Sequence, residues 1–257
     1  MNLMPRTLCL LSVLILIPSP ALKAQLLNVE SVRTNGDSTG WYGELEFDLS
    51  LNHYNENVFE FTNESNLSYF SDQHAYMLLN EIKFVNLDGN SVISSGYVHL
   101  RSTLRRLRAL SPELFLQYQY NNNLGLNNRA LGGAGIKYRF YRSDKWQASI
   151  STALMAEFEE WQLNEEASIE NEFLKSTSNI SLRGRLSETA RFKLVGYYQA
   201  RPDRYLKGRS ILESELEMDL SKRVAVSISF VASYDAEPII DIPNLTYELS
   251  NGFVIRL

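Results

Sequence analysis

The chain has 257 residues, with 25 basic against 30 acidic side chains, a formal charge of −5 and a slightly negative mean hydropathy. That length holds one large all-β domain or two ordinary ones, and the acidic balance argues against nucleic acid as a partner. The one cysteine, Cys9, has no second thiol in the chain to pair with.

Residues 1–24 combine Arg6 as a basic start, an apolar run from Leu8 to Ile17, and Pro18-Ser19-Pro20-Ala21-Leu22-Lys23-Ala24 ahead of Gln25. This pattern predicts a secretory signal cleaved after Ala24. The apolar run is too short for the ~20 residues of a spanning helix, which argues against an N-terminal anchor. Cys9 lies too near the start, without small residues before it, for a lipoprotein site. Loss of Arg6 and Lys23 leaves 23 basic against 30 acidic residues, so the exported chain carries −7. Residues 25–38 are polar and unpatterned and predict a periplasmic lead-in.

Alternation begins at Trp41 and continues to the end of the chain. Within 41–52, Trp41, Leu45, Phe47, Leu49 and Leu51 share one parity, and Glu44, Glu46 and Asp48 the other. Side chains alternate across a strand, so this is a two-faced strand. The same reading gives strands at 58–70, 75–87, 97–104, 113–121, 129–141, 146–160, 173–186, 191–200, 212–220, 224–235 and 245–257, twelve in all. No segment of helical period and useful length competes, and no repeat beyond the hairpin rhythm is visible.

The predicted connections after the second, sixth, eighth and tenth strands are tight, and several after odd strands are longer, including 121–128, 161–172, 201–210 and 236–244. That alternation suits a barrel with short turns toward the periplasm and long loops outside. The connection after the first strand, which is short, and the Arg105, Arg106 and Arg108 stretch after the fourth, which is not tight, fit less well.

A soluble sandwich would show the same two-faced strands. Three features favour a closed transmembrane β-barrel in the bacterial outer membrane. The polar parity carries charge in blocks, with Arg183, Arg185, Arg191 and Lys193 on the eighth and ninth strands facing Glu213, Glu215, Glu217 and Asp219 on the tenth. Such blocks suit cross-strand ion pairs on an inner wall, which Glu44, Glu46 and Asp48 would join. Trp41, Trp146 and Trp161 fall near strand ends, at expected membrane interfaces. Finally Phe253, Ile255 and Leu257 end the chain at alternate positions, like the C-terminal strand read by the barrel-assembly machinery, although the last residue is Leu rather than aromatic.

Four stretches also resemble a known family: Asn28-Val29-Glu30-Ser31-Val32-Arg33 with Gly40-Trp41; Gly96 to Arg101; Arg129 to Gly135; and Pro243 to Gly252. They are similar to the salt-induced outer-membrane proteins, barrels of unknown function. The resemblance covers nearly all of the mature chain and implies a location and a fold, but brings no activity and no site residues.

Candidate chemistry is sparse. His99 and Ser102 would be the histidine and serine of a barrel hydrolase, but their odd spacing puts them on opposite faces, so no catalytic residue is expected and His99 reads as an interior polar histidine. No His or Cys shows metal-ligand spacing. The acidic stretch 157–172, with Glu165, Glu166, Glu170 and Glu172, reads as a solvated outer loop and only as a weak site for divalent cations bridging to lipopolysaccharide. Gly132-Gly133 and Gly135 match no nucleotide loop, no cofactor is expected, and these glycines read as room for a close backbone or an aromatic ring. Asn63, Ser65 and Asn80 at lipid parity suggest contact with another protein or a second copy.

The expectation is one outer-membrane barrel over 39–257, in contact with lipid and lipopolysaccharide. Its inner wall either passes small polar solutes or is filled in a structural or envelope-stress role, and an enzyme ranks third.

Overall fold

The computed structural model describes residues 30, 39–53, 57–87, 90–164, 167–221, 224–239 and 243–255. The predicted signal, all of the predicted lead-in except Glu30, and the last two residues of the chain lie outside them.

Among the described residues, twelve strands form one sheet: β1 Gly40–His53, β2 Asn57–Phe70, β3 Ala75–Leu87, β4 Asn90–Thr103, β5 Leu110–Asn121, β6 Leu126–Arg142, β7 Trp146–Asn164, β8 Ala167–Arg185, β9 Ala190–Ala200, β10 Arg209–Asp219, β11 Val224–Asp235 and β12 Leu245–Ile255. Each pairs antiparallel with the next in chain order, so the sheet is a pure meander with β1 and β12 at its ends. Single 3₁₀ turns at Asn122–Leu124 and Pro202–Arg204 are the remaining regular structure among the described residues, and no helix there is long and apolar enough to cross a membrane.

The register keeps the apolar parity continuous from strand to strand, because any one-residue slip would turn a whole strand over. Leu100 lies opposite Leu116, which lies opposite Gly132; Leu154 follows opposite Ala134, and Ile150 opposite Ile180. Much of this face is exposed: Leu116 is 62% exposed, Leu154 56% and Leu174 59%. The other face is covered, although it holds the charges. The sheet curls about that face, as contacts between non-neighbouring strands show. Arg209 of β10 reaches Glu159 of β7 at 3.0 Å, and Ile239, beyond β11, packs on the cluster of Leu124, Leu126 and Trp161 from the β5–β7 region.

The strand ends differ from the sequence reading where acids are dense. Residues 161–164 and 167–172 are strand, with β7 running to Asn164 and β8 starting at Ala167, because the two continue to pair from Trp161↔Ile169 to Asn164↔Ala167. At 19 residues each, these strands rise ~60 Å, well beyond the 9–11 residues that cross a membrane. Likewise β6 starts at Leu126, leaving a short 3₁₀ connection after β5. Loop length therefore alternates less than the sequence suggested, since much of the expected loop is hairpin.

The arginine-rich connection after β4 is tied down at the opposite end of the sheet. Arg105 adopts a positive φ of 53°, while Arg106 is buried, donates from Nε to the Ser71 carbonyl at 2.7 Å and lies over the Phe70 ring at 5.2 Å. Arg139 of β6 donates to the Arg106 carbonyl at 2.8 Å. The β2–β3 and β4–β5 turns and the end of β6 are thereby stapled together.

On the concave face Gly133 and Gly135 leave room rather than flexibility. A Cβ at Gly133 would sit 2.4 Å from the tip of the Phe115 ring, and one at Gly135 would sit 2.3 Å from the Thr152 carbonyl oxygen and 2.4 Å from Ala153 Cβ. Backbone cannot yield as a flexible side chain does. Gly135→Ala is therefore expected to destabilise the fold by about 1–3 kcal/mol, read as a lower denaturant midpoint than wild type, with Gly196→Ala, whose nearest neighbour lies 3.5 Å away, as the tolerated control.

Candidate functional site

The concave face carries two buried charge clusters that the curl assembles from distant strands. In the first, Arg129 of β6 donates from Nη2 to Glu157 Oε2 at 2.5 Å, and its Nε lies 3.5 Å from Glu159 Oε1. Lys175 of β8 also donates to Glu157 and lies 3.7 Å from Glu159. Arg209 of β10 bridges Glu159 at 3.0 Å to Asp235 of β11 at 2.9 Å. Trp161 completes the shell of Glu159, its indole Nε1 donating to Oε2 at 3.0 Å. Glu157, Glu159 and Arg129 are all at most 3% exposed, and three cations here face three carboxylates. Desolvating such charges costs several kcal/mol per ion unless each finds its counter-charge, as these do.

The second cluster lies toward the end where the short turns gather. Glu30, 1% exposed, is the described residue of the lead-in, and its carboxylate accepts from Lys137 Nζ at 2.6 Å and Arg101 Nη1 at 3.2 Å. Arg183 Nη2 lies 3.9 Å from Glu30 Oε1 and donates to the Glu30 backbone carbonyl. The three cations stand on alternate strands, β4, β6 and β8, all at the parity that faces inward. Glu113 adds a further carboxylate 3.8 Å from Arg101 and is steadied by Thr103 Oγ1 at 2.9 Å. Between the clusters, a cavity of only about 40 Å³ is lined from β4 to β9 by His99, Gln117, Met155, Asn179 and Tyr197 among others.

The charge block singled out from sequence lies beside these clusters and pairs along the wall. Arg191 donates to Glu217 and, at 2.7 Å, to Asp219; Lys193 pairs with Glu215 and lies 3.9 Å from Glu213. These groups are more open, Arg191 having 42% side-chain exposure. Arg183 belongs to the Glu30 cluster, whereas Arg185 is exposed at a turn and donates to the Asp144 carbonyl at 3.1 Å. Asp48 is exposed on the end strand β1, and the side chains of Glu44 and Glu46 lie outside the described residues.

Of the acidic stretch, Glu165 and Glu166 also lie outside the described residues. Glu170 and Glu172 are exposed on β8, at the parity of Leu174 and so on the convex face, not in a loop. Among the described residues no three His, Cys, Asp or Glu side chains converge as metal ligands would. Trp161 corrects its interface assignment: its odd position on β7 turns it inward, where it is wholly buried. His99 is buried, 3.0 Å from Gln117 Oε1 through Nδ1 and stacked on Phe115 at 6.2 Å. On the convex face, at the parity the sequence assigned to lipid, Asn80 Nδ2 donates to Asn63 Oδ1 at 3.1 Å across β2 and β3.

At the far end, the β9–β10 and β11–β12 connections are joined by Lys207 and Arg204 with Glu237. The hydrogen bond from Lys207 holds the Glu237 carboxyl below its ordinary value. Being fully open to water, this bridge adds little to stability.

Residues 45–254 match the family described as "Protein of unknown function, DUF481". The chain belongs to that family. Among solved structures, the DUF481 chain is similar to a NanC porin, with 8% identity and a TM-score of 0.48 over 77% of this chain and 94% of that one. It is also similar to the CymD monoaromatic hydrocarbon channel, with 8% identity and a TM-score of 0.44 over 86% of this chain and 78% of that one. The beta domain of the Bordetella autotransporter Brka gives 11% identity and a TM-score of 0.37 over 85% and 99%. A comparison with curated proteins finds no match.

Alternation in the sequence puts Arg101, Lys137, Glu157 and Glu159 at the polar parity of their strands without marking them as a site, and it does not pair them with Glu30, Arg129, Lys175, Arg209 or Asp235. Parity was the available signal for the strand residues. Glu157→Gln removes the carboxylate shared by Arg129 and Lys175 and leaves buried positive charge uncompensated. It is expected to cost about 3–5 kcal/mol, measured as a fall in the urea midpoint of the folded protein, whereas Glu237→Gln leaves the midpoint within about 0.5 kcal/mol of wild type.

Proposed function

We propose that this DUF481 chain is a bacterial outer-membrane β-barrel whose lumen is occluded at rest by ion pairs, and that it belongs to the salt-induced outer-membrane proteins it resembles. The inversion of the sheet supports the membrane reading: leucines and isoleucines crowd the exposed face while Arg129, Glu157 and Glu159 are buried. In water, each exposed apolar Å² forfeits about 25 cal/mol; against lipid the same face is at home. Hydrocarbon also forbids unpaired strand edges, so β1 and β12 must close on each other for the sheet to span. The even strand count permits an antiparallel seam there, with chain export through the predicted signal and recognition of the final strand by the assembly machinery.

The observation that carries the occluded reading is the bridge from Arg209 on β10 to Glu159 on β7, which passes over β8 and β9 on the concave face near a cavity of only about 40 Å³. A small-polar-solute channel is the second reading, favoured by the more open Arg191, Lys193, Glu213 and Glu215 along β9 and β10, whose opposite charges would set a transverse field.

Fractionation should recover the protein in outer membranes with a folded band that shifts on heating; a soluble, non-shifting protein overturns the barrel. In planar bilayers the wild type should stay silent at all voltages. A steady open level whose ion preference shifts in Lys193→Gln or Glu215→Gln overturns occlusion in favour of the channel.

A further inference from the structure

We infer that Arg101, Lys137 and Arg183 form a carboxylate-binding site in the barrel interior, that Glu30 occupies it as a tethered ligand, and that its solute class is small carboxylic acids bearing a second carbonyl three carbons away. The inference rests on the barrel reading above, since closure is what turns the concave face into an interior.

The three cations come from β4, β6 and β8 and are nearly buried, with side-chain exposures of 7%, 5% and 16%. Brought together in a medium of lowered dielectric they repel one another, and carboxylates offset that repulsion, Glu113 on β5 and Glu30 among them. The wall at this point is therefore built around negative charge. It is also built around a particular shape. Lys137 and Arg101 take one carboxylate oxygen each, at 2.6 and 3.2 Å, while Arg183 donates to the backbone carbonyl of the same residue. In glutamate that carbonyl and the side-chain carboxylate are separated by three carbons, the spacing found in glutarate and its monoamide. Planar guanidinium groups read such oxygens directionally, whereas lysine supplies a point charge. Glu30 is separated from Lys137 by 107 residues and meets the cluster from outside the described strands.

The site lies near the end of the interior where the short turns gather, with Glu113 and Thr103 beside it. A solute entering there competes with Glu30 for the same three donors, and displacement of Glu30 is the condition for its binding.

The test uses the full exported chain, folded in detergent, with glutarate as probe and glutaramide or matched sodium chloride as controls. The readout is the midpoint of heat-induced loss of the folded band. In Glu30→Ala the midpoint falls below wild type and rises saturably with glutarate, but not with either control; wild type, its site filled, does not respond. Adding Lys137→Met to Glu30→Ala weakens glutarate binding at least about tenfold, as loss of a charge-assisted hydrogen bond requires. A folded Glu30→Ala that ignores glutarate, or a wild type that rises as much, overturns the inference. Glu30→Ser, which also vacates the site, is read by the same criteria. If neither variant folds unaided, glutarate must restore the folding yield of Glu30→Ala, and its failure to do so overturns the site. Conductance separates the two readings: a conducting wild type with a responsive variant overturns occlusion alone, and a silent wild type with an unresponsive variant overturns the carboxylate site alone.

Discussion

Charge neutralisation on the concave face is the constraint on which the rest of the structure depends. A sheet that exposes leucine and buries arginine can persist only if every buried charge meets its opposite, because an unpaired ion away from water costs more than any one strand pairing returns. Glu159 illustrates the solution: Arg129, Lys175, Arg209 and the Trp161 indole all converge on it. These partners come from β6, β7, β8 and β10, so satisfying one carboxylate also fixes how far the sheet must curl. Curvature and charge pairing are in this sense one requirement.

The two clusters also differ in how they meet that requirement. Around Glu157 and Glu159, both signs are supplied by strand residues, so the cluster is complete once the sheet forms. Around Arg101, Lys137 and Arg183, the strands supply cations, Glu113 offsets part of the charge, and the deepest carboxylate comes from outside the sheet. The first is a brace within the wall, and the second joins the wall to a segment that precedes it.

Much of this was legible in the sequence, because period-two alternation survives in nearly every strand and parity alone assigns each side chain to a face. β3 begins and ends where alternation and the Asp88-Gly89 turn signal said it would. Legibility failed where composition outweighed pairing: glutamates are depleted in strands generally, so 161–172 looked like loop, yet cross-strand hydrogen bonding extends β7 and β8 through most of it. Trp161 was assigned by residue type instead of parity, and parity was the better guide. The Glu30 cluster had no local signal at all, since nothing in a polar, unpatterned segment announces partners on β4, β6 and β8.

The separations within that cluster bear on the order of assembly. Glu30 stands 71, 107 and 153 residues from Arg101, Lys137 and Arg183. Hairpins between neighbouring strands close short loops and form early, whereas contacts of such high contact order bear a larger loop-closure entropy. The first of these residues to leave the ribosome is thus the last to find its full set of partners, and its docking reports that β4 through β8 are in register.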